Sequence, residues 1–507
     1  MAGAQGNFAK AARPFPLKWL AVASVLLLLL GTLPLYAIAF DNHPYYDDYK
    51  FSAETHAVWQ RTHSPTAVLA AALDSAQAER ERWQGTYTGT FLSNLQPGVF
   101  SENLYWLTTF LLLSASLLGI GFLPWTLLRH VLHAGIAQAV IATSLTLFVS
   151  IQFLPAVNEA FFWFNGGIGN IFIYALLAFA LALMLRLRKA RGGAAWLTLC
   201  LLALTVLLGG GSYGGGLLAV LLYALAAALA LRYRNRFRLI YVALALLLVA
   251  CFAYNMSAPG NALRARAIGR GLSPVVAVAR ALYYGVALMG EYFSLPVAAL
   301  ALGLAPILYP LARDSAYRFR HPALVGLLGV LLFCAQLTPP LYAGVFLGGP
   351  RAYNTYYVSF LLLLMVCETY ALGALARRLA RNGRPAPAIT PYAARFAAIA
   401  AACLFAVGCL GYKPAGEVLY GPMHMAGGSA ALSLVNGEAR TYHREMLARE
   451  ALLRDASQPT VTLAPLSRVP AVFMPDLLTP GALDDVRPVL ARYYGKQAVL
   501  LEGGDAQ

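Results

Sequence analysis

The chain has 507 residues, of which 59% are hydrophobic and only 12% charged, against the roughly 25% charged of an ordinary soluble domain. This composition excludes a soluble globular protein and marks a polytopic membrane protein. The net charge of +16 does not point to a nucleic-acid partner, because the basic residues stand in short clusters between apolar runs and not on one soluble module.

A helix needs about 20 apolar residues to cross the hydrocarbon core. About eleven runs qualify: 17–40, 103–124, 131–151, 166–186, 194–209, 214–231, 239–254, 283–311, 322–340, 355–376 and 393–412. The first is too long for a cleaved signal and lacks a small-residue cleavage site, so it is expected to remain as an anchor. The fifth and sixth are short, and only GGGSYGGG (Gly209 to Gly216) separates them, which predicts a tight hairpin or a partly re-entrant element. That stretch lacks the GK[ST] of a phosphate loop, so close helix packing is the better reading.

Lysines and arginines orient the spans. Lys10, Arg13 and Lys18 precede the first and Arg129 follows the second; Arg186, Arg188, Lys189 and Arg191 follow the fourth. Arg232, Arg234, Arg236 and Arg238 follow the sixth; Arg313, Arg318 and Arg320 the eighth; Arg377, Arg378, Arg381 and Arg384 the tenth. Every second connection is basic, which puts the N-terminus in the cytoplasm. The other connections then lie outside: 41–102, 152–165, the glycine hairpin, 255–282, 341–354 and the tail from Lys413. Cys200, Cys251, Cys334, Cys367, Cys403 and Cys409 all fall in apolar stretches with no CxxC pair, so neither a disulfide framework nor a cysteine-ligated zinc is expected.

The first outer loop opens with FDNHPYYDDYKF (Phe40 to Phe51). Asp41, Asp47 and Asp48 stand there beyond a membrane helix, where a carboxylate suits proton abstraction from a sugar hydroxyl or a metal ion bridging phosphate oxygens. Adjacent acids also repel, which raises the apparent pKa of one. Further along the loop, SPTAVLAAALDSAQAERERWQG predicts an amphipathic helix at the interface. NEAFFWFNGGIGN (Asn158 to Asn170) sets Glu159 beside Trp163 and other aromatics, a combination suited to a sugar ring.

YNMSAPGNALRAR (Tyr254 to Arg266) breaks a helix at Pro259 and Gly260 and offers Arg264 and Arg266 to a phosphate at head-group depth. Glu291 lies in an overlong span with Pro296, where an ionisable group is tolerated if the span lines a cavity. GGPRAYNTYY (Gly348 to Tyr357) adds Arg351 among tyrosines. Glu368 sits nearer the cytoplasmic end and reads as a partner for a basic neighbour. In the tail, GEARTYHREMLAREALLRDA and DDVRPVLARYYG predict helices, while PTVTLAPL and QAVLLEG predict strands. The expected organisation is a transmembrane domain over 1–412 and a small α/β domain over 413–507.

The order of these motifs, with Asp-Asp-Tyr in the first outer loop, then NEAFFWFNG, then APGNALR, resembles the GT-C class of membrane glycosyltransferases, more narrowly its bacterial families that modify surface polysaccharides. The resemblance implies an all-α GT-C-like bundle in the bacterial inner membrane, with its C-terminal domain in the periplasm. It implies transfer of a sugar from a polyprenyl-phosphate donor to a cell-envelope glycan or lipid-linked acceptor. On that carry-over Asp47 and Asp48 lead as base, with Asp41 behind; Arg264, Arg266 and Arg351 hold the donor phosphate. Glu159, Trp163, His43, Asn261, Tyr353 and Glu291 are sugar or acceptor contacts. A divalent metal, Mg or Mn, would fall to Asp47 and Asp48, although the Asp-Xaa-Asp of some relatives is absent and no cofactor is required. An O-antigen ligase or polymerase, or a lipid or polysaccharide transporter, is the alternative.

Overall fold

A computed structural model describes residues 17–269, 271–381, 388–411, 425–478 and 486–502. Lys10, Arg13, Arg384, Asp484 and the expected boundary at 412/413 lie outside the described residues.

The helices follow the apolar runs, because in lipid a backbone must satisfy its own hydrogen bonds. In chain order they are α1 (Leu17–Ile38), α2 (Asp47–Thr62), α3 (Pro65–Arg82), α4 (Tyr87–Ser93), α5 (Leu107–Thr126), α6 (Ile136–Gln152) and α7 (Phe164–Ile168). They continue with α8 (Ile171–Leu187), α9 (Ala194–Gly209), α10 (Tyr213–Arg232), α11 (Arg238–Met256), α12 (Pro259–Ile268), α13 (Pro274–Tyr292) and α14 (Leu295–Asp314). The last are α15 (Pro322–Ala335), α16 (Thr338–Tyr342), α17 (Pro350–Arg381), α18 (Pro391–Gly411), α19 (Ala426–Val435), α20 (Glu438–Arg454) and α21 (Val486–Tyr494). Strands β1 (Thr460–Leu463) and β2 (Ala498–Leu501) pair in parallel, Thr460 opposite Ala498.

Among the described residues, eight of these elements are long and apolar enough to cross a membrane, and four more, α6, α9, α15 and α19, are apolar but shorter. The protein is therefore a mostly helical, multi-pass membrane protein. The expected span 283–311 is not one helix: α13 ends at Tyr292, Phe293 and Ser294 break the chain, and α14 restarts at Leu295. Pro296 causes no damage there, since a proline in the first turn removes a donor that has no intrahelical partner. In the glycine stretch only Gly210, Gly211 and Ser212 form the tight turn between α9 and α10, and Tyr213 to Gly216 open α10. Small residues bring helices close in lipid: a Cβ on Gly119 of α5 would stand 2.3 Å from the Ala175 carbonyl of α8, and one on Gly209 would stand 2.3 Å from Cys251 Cβ of α11.

The six connections assigned to one side do gather at one end. The backbone N–H groups of Thr88 and Gly89 both donate to the Gly210 carbonyl, at 3.0 and 3.3 Å, and Gly85 N–H reaches the Tyr213 hydroxyl at 3.1 Å and Asn261 Oδ1 at 3.2 Å. Asn354 exchanges two bonds with Ala156, 2.9 and 2.7 Å, and His43 meets His443 of the tail. The basic connections gather separately. Lys189 bonds the His130 carbonyl at 3.3 Å, Asn235 bonds Arg188 at 3.2 Å, and Arg377 spans the carbonyls of Arg313, Ser315 and Tyr317.

The tail is bound to the bundle by more than its expected α/β part. Helix α19 lies against α1 so closely that a Cβ on Gly427 would sit 2.0 Å from the Gly31 carbonyl, and the Gln152 side chain clamps the pair by donating to Gly31 O (3.0 Å) and accepting from Gly427 N–H (2.8 Å). The two strands, α21 and Leu453 of α20 form a small apolar core of their own, which Tyr49 of α2 joins. Within it Arg449 makes a bidentate, largely buried ion pair with Asp476, 3.0 and 2.8 Å.

Candidate active site

Where the connections meet, α2, α3, α12 and the start of α17 enclose a cavity of about 1060 Å³. This is at the upper end of the ~300–1,000 Å³ usual for small-molecule sites. Helical geometry decides which residues reach it. On α2, Asp47, Lys50, Phe51 and Glu54 recur at the three- and four-residue spacing of one helix face and line the cavity. Asp48, Ser52 and Thr55, one step round, are buried on the other face.

The two adjacent acids therefore separate. Asp47 is half-buried in the cavity wall; Asp48 is wholly buried beneath it. Asp48 Oδ1 accepts from Asn165 N–H (3.1 Å) and Asn165 Nδ2 (3.3 Å), while Oδ2 accepts from Tyr45 N–H (3.0 Å) and the Tyr105 hydroxyl. The Tyr105 hydroxyl in turn accepts from Phe164 N–H at 3.2 Å. Asp48 thus ties α2 to the chain entering α5 and to α7, and fixes the backbone that presents Asp47. Burial pushes its carboxyl up to about 7 against those donors, and the neighbouring Asp47 adds only the smallest push.

Arg264 stands on the face of α12 that carries Asn261, Ala265 and Ile268 into the cavity. It donates to Gln84 Oε1 at 2.7 Å and lies 5.4 Å over the Trp83 ring. Burial lowers its pKa, Tyr213 and Asp47 oppose this, and Arg351 adds to it, so the two arginines and Asp47 act on one another across the space. The guanidinium stays charged, because an arginine remains protonated in proteins. Arg351, at the start of α17, also lines the cavity; its guanidinium lies 5.3 Å over Trp163 and its N–H donates to Glu159 Oε2 at 3.1 Å. Burial raises the Glu159 pKa and Arg351 draws it back. Glu159 and Trp163 thus hold Arg351 from behind and are not among the cavity-lining residues.

The remaining expected residues are dispersed. Arg266 is exposed and does not line the cavity: two residues along a helix is more than half a turn, which carries it away from Arg264. Asn261 lines the cavity, but its amide is engaged on both sides, accepting from Tyr213 and Gly85 and donating to the Asn255 and Met256 carbonyls at 3.0 Å each. Asp41 faces His443 and Arg440 of the tail, and His43 is buried with Nε2 2.9 Å from His443 Nδ1. Burial pushes His43 down to about 3, so it stays neutral and joins the loop to the tail. Glu291 is exposed at the end of α13, and the Tyr353 carbonyl accepts from the Tyr292 hydroxyl at 3.2 Å; neither lines the cavity.

Sequence reading missed Asn94, Gln84, Trp83 and, from the tail, Arg492, all of them in the cavity wall. Trp83 and Gln84 end the helix that was recognised; Arg492 carries no local signal. A metal shared by Asp47 and Asp48 does not fit the donor set, because both Asp48 oxygens already accept two bonds each. Among the described residues no three His, Cys, Asp or Glu side chains form a metal-holding group. Comparison with known proteins adds no assignment: no family model matches the chain, and no curated protein or solved structure matches it.

Proposed function

We propose that the protein is a membrane glycosyltransferase that moves a sugar from a polyprenyl-phosphate donor to a cell-envelope glycan or lipid-linked acceptor on the outer face of the bacterial inner membrane. The observation that carries this reading is the half-buried carboxylate of Asp47 sharing a large cavity with Arg264 and Arg351 at the end of an apolar bundle; of the other acids in the wall, Glu79 is paired with Arg82 at 3.0 Å and Glu54 is exposed.

The chemistry needs those parts. A polyprenyl phosphate is a good leaving group, so positive charge near the departing oxygen does more than a strong general acid; Arg264 and Arg351 supply it from partly desolvated positions, where it is strongest. The acceptor hydroxyl must lose a proton as the sugar carbon gains oxocarbenium character, and Asp47 takes it. One displacement inverts the anomeric centre. Asp48, Glu159 and Trp163 position these groups without touching substrate.

Mass spectrometry of surface glycans and lipid-linked intermediates from cells with and without the protein tests the reading. Loss of one sugar substituent with accumulation of a polyprenyl-phosphate sugar is expected. An unchanged glycan profile overturns it, and accumulation of a whole lipid-linked glycan favours a ligase.

A further inference from the structure

Cations outnumber carboxylates among the cavity-lining side chains, five to three. Two of the acids have a cation of their own: Glu79 pairs with Arg82 at 3.0 Å, and Glu54 stands one turn beyond Lys50 on the same face of α2, where opposite charges offset each other. Asp47 is left with Arg264, Arg351 and Arg492. A sugar phosphodiester brings one negative charge, so with the donor bound one of the three arginines still lacks a counter-charge. Arg492 is that one: it is exposed and, among the described residues, makes no hydrogen bond or ion pair, whereas Arg264 bonds Gln84 and Arg351 lies over Trp163. Its helix, α21, belongs to the tail yet is pinned to α2. The Tyr493 ring stacks on His56 with centroids 4.3 Å apart and meets Tyr49 edge-on at 4.9 Å, its hydroxyl donates to the Gly98 carbonyl at 3.3 Å, and the Tyr494 hydroxyl donates to Glu102. Successive residues of a helix point about 100° apart, so with Tyr493 buried against α2 its neighbour Arg492 is left at the cavity wall.

We propose that Arg492, supplied by the tail, forms a second anion subsite in this cavity, which binds a carboxylate or phosphate carried by the acceptor glycan and so selects acidic over neutral acceptors. The division between donor and acceptor rests on the transferase reading; the subsite itself is decided by binding. A cleft with an excess of one sign of charge gathers an oppositely charged partner before contact is made. The guanidinium then meets the anion with donors in a fork that fits carboxylate and phosphate alike. Because Arg492 is exposed, the contact is weaker than a buried one and is screened by salt.

The test uses the full chain in phosphatidylcholine nanodiscs, with short-chain isoprenyl phosphate added at saturation to occupy Arg264 and Arg351, and follows the fluorescence anisotropy of oligosaccharides carrying an uncharged dye. The probes are tetragalacturonate with its methyl ester as the neutral match, and maltotetraose with and without a phosphate monoester. At least one acidic probe is expected to bind about three- to tenfold tighter than its neutral match, less so as salt is raised. Arg492→Gln is expected to remove that preference and leave isoprenyl phosphate binding unchanged. Arg444→Gln, which removes an exposed tail arginine outside the cavity lining, is expected to keep it. Equal binding of acidic and neutral probes overturns the proposal, as does a preference that survives Arg492→Gln or that Arg444→Gln removes as fully. If Arg492→Gln does not fold, protection of Arg492 from phenylglyoxal, read by peptide mass spectrometry, takes its place: the acidic probe is expected to protect more than its neutral match, and equal protection overturns the proposal. A preference for only one of carboxylate and phosphate upholds the subsite and identifies its group. Arg492-dependent selectivity without transfer to any glycan upholds the subsite and overturns the transferase reading, and transfer to a neutral glycan without that selectivity does the reverse.

Discussion

Asp47 and Asp48 are neighbours with opposite assignments, and the difference is measurable. Asp47→Asn is expected to cut transfer by a hundredfold or more, since the proton acceptor is lost and base catalysis contributes about 10²–10⁴. Asp48→Asn is expected to lower stability by about 1–3 kcal/mol, because an amide turns a donor toward groups that are themselves donors. A stable, inactive Asp48→Asn beside an active Asp47→Asn would reverse the roles. Asp48 also sets a pH dependence. Its folded pKa, about 7, lies above the ~3.9 of an unfolded aspartate. Between those values the folded state holds a proton that the unfolded state has lost, so this contribution is complete below about pH 4 and is lost as pH rises towards 7. Unfolding temperature in detergent should therefore fall across that window more steeply for the wild type than for Asp48→Asn; parallel profiles would contradict the assignment. For the arginines, alanine at Arg264 or Arg351 should weaken donor binding about ten- to a hundredfold, lysine should restore only part of it, and Arg266→Ala should leave it near wild type.

At the scale of elements, the tail depends on two contacts of different kinds. The Arg449–Asp476 pair is largely buried, and Asp476 also accepts from the N–H groups of Leu466 and Leu478 at 2.8 and 3.0 Å. Removing the cation leaves the carboxylate buried without its charge partner, so Arg449→Ala should cost about 3–5 kcal/mol. Limited proteolysis is expected to cut the region 460–502 first in that variant. The close approach of α1 and α19 leaves no room for a Cβ at Gly427, so Gly427→Ala should cost about 1–3 kcal/mol by forcing those helices apart. Unfolding temperatures in detergent check both, and a Gly427→Ala as stable as wild type would mean that the helices can separate freely.

For the whole molecule the expectation is an inner N-terminus and an outer C-terminus, because basic connections collect at one end of the bundle and the cavity at the other. Cysteines introduced at Glu54 or Arg266, both exposed near the cavity end, should react with an impermeant thiol reagent in intact spheroplasts. A cysteine at Arg234, exposed at the other end, should react only after lysis. The reverse pattern would invert the topology and remove the proposed function with it.

The features readable from the sequence alone were those fixed by local chemistry: apolar runs as helices, basic clusters as one end, and the two helices and two strands of the tail, to within about three residues of those observed. Asp47, Arg264 and Arg351 were legible because each interrupts an apolar or aromatic stretch, where a charge has few bland explanations. Tertiary structure decided the rest. It split the run 283–311 at Phe293, joined α19 to the bundle, and moved Arg266, Glu291 and His43 away from the cavity. It also divided Asp47 from Asp48, which no spacing rule can do, because a helix turns about 100° per residue and only the neighbours it packs against determine which direction is cavity and which is core. Asn94, Asn165 and Asn170 reach one cavity wall from the end of α4, from α7 and from the turn before α8, and nothing in their separate surroundings announces that they will meet there. Sequence carries periodicity and charge, which act along the chain; a site is made by directions in space, and those are set by packing.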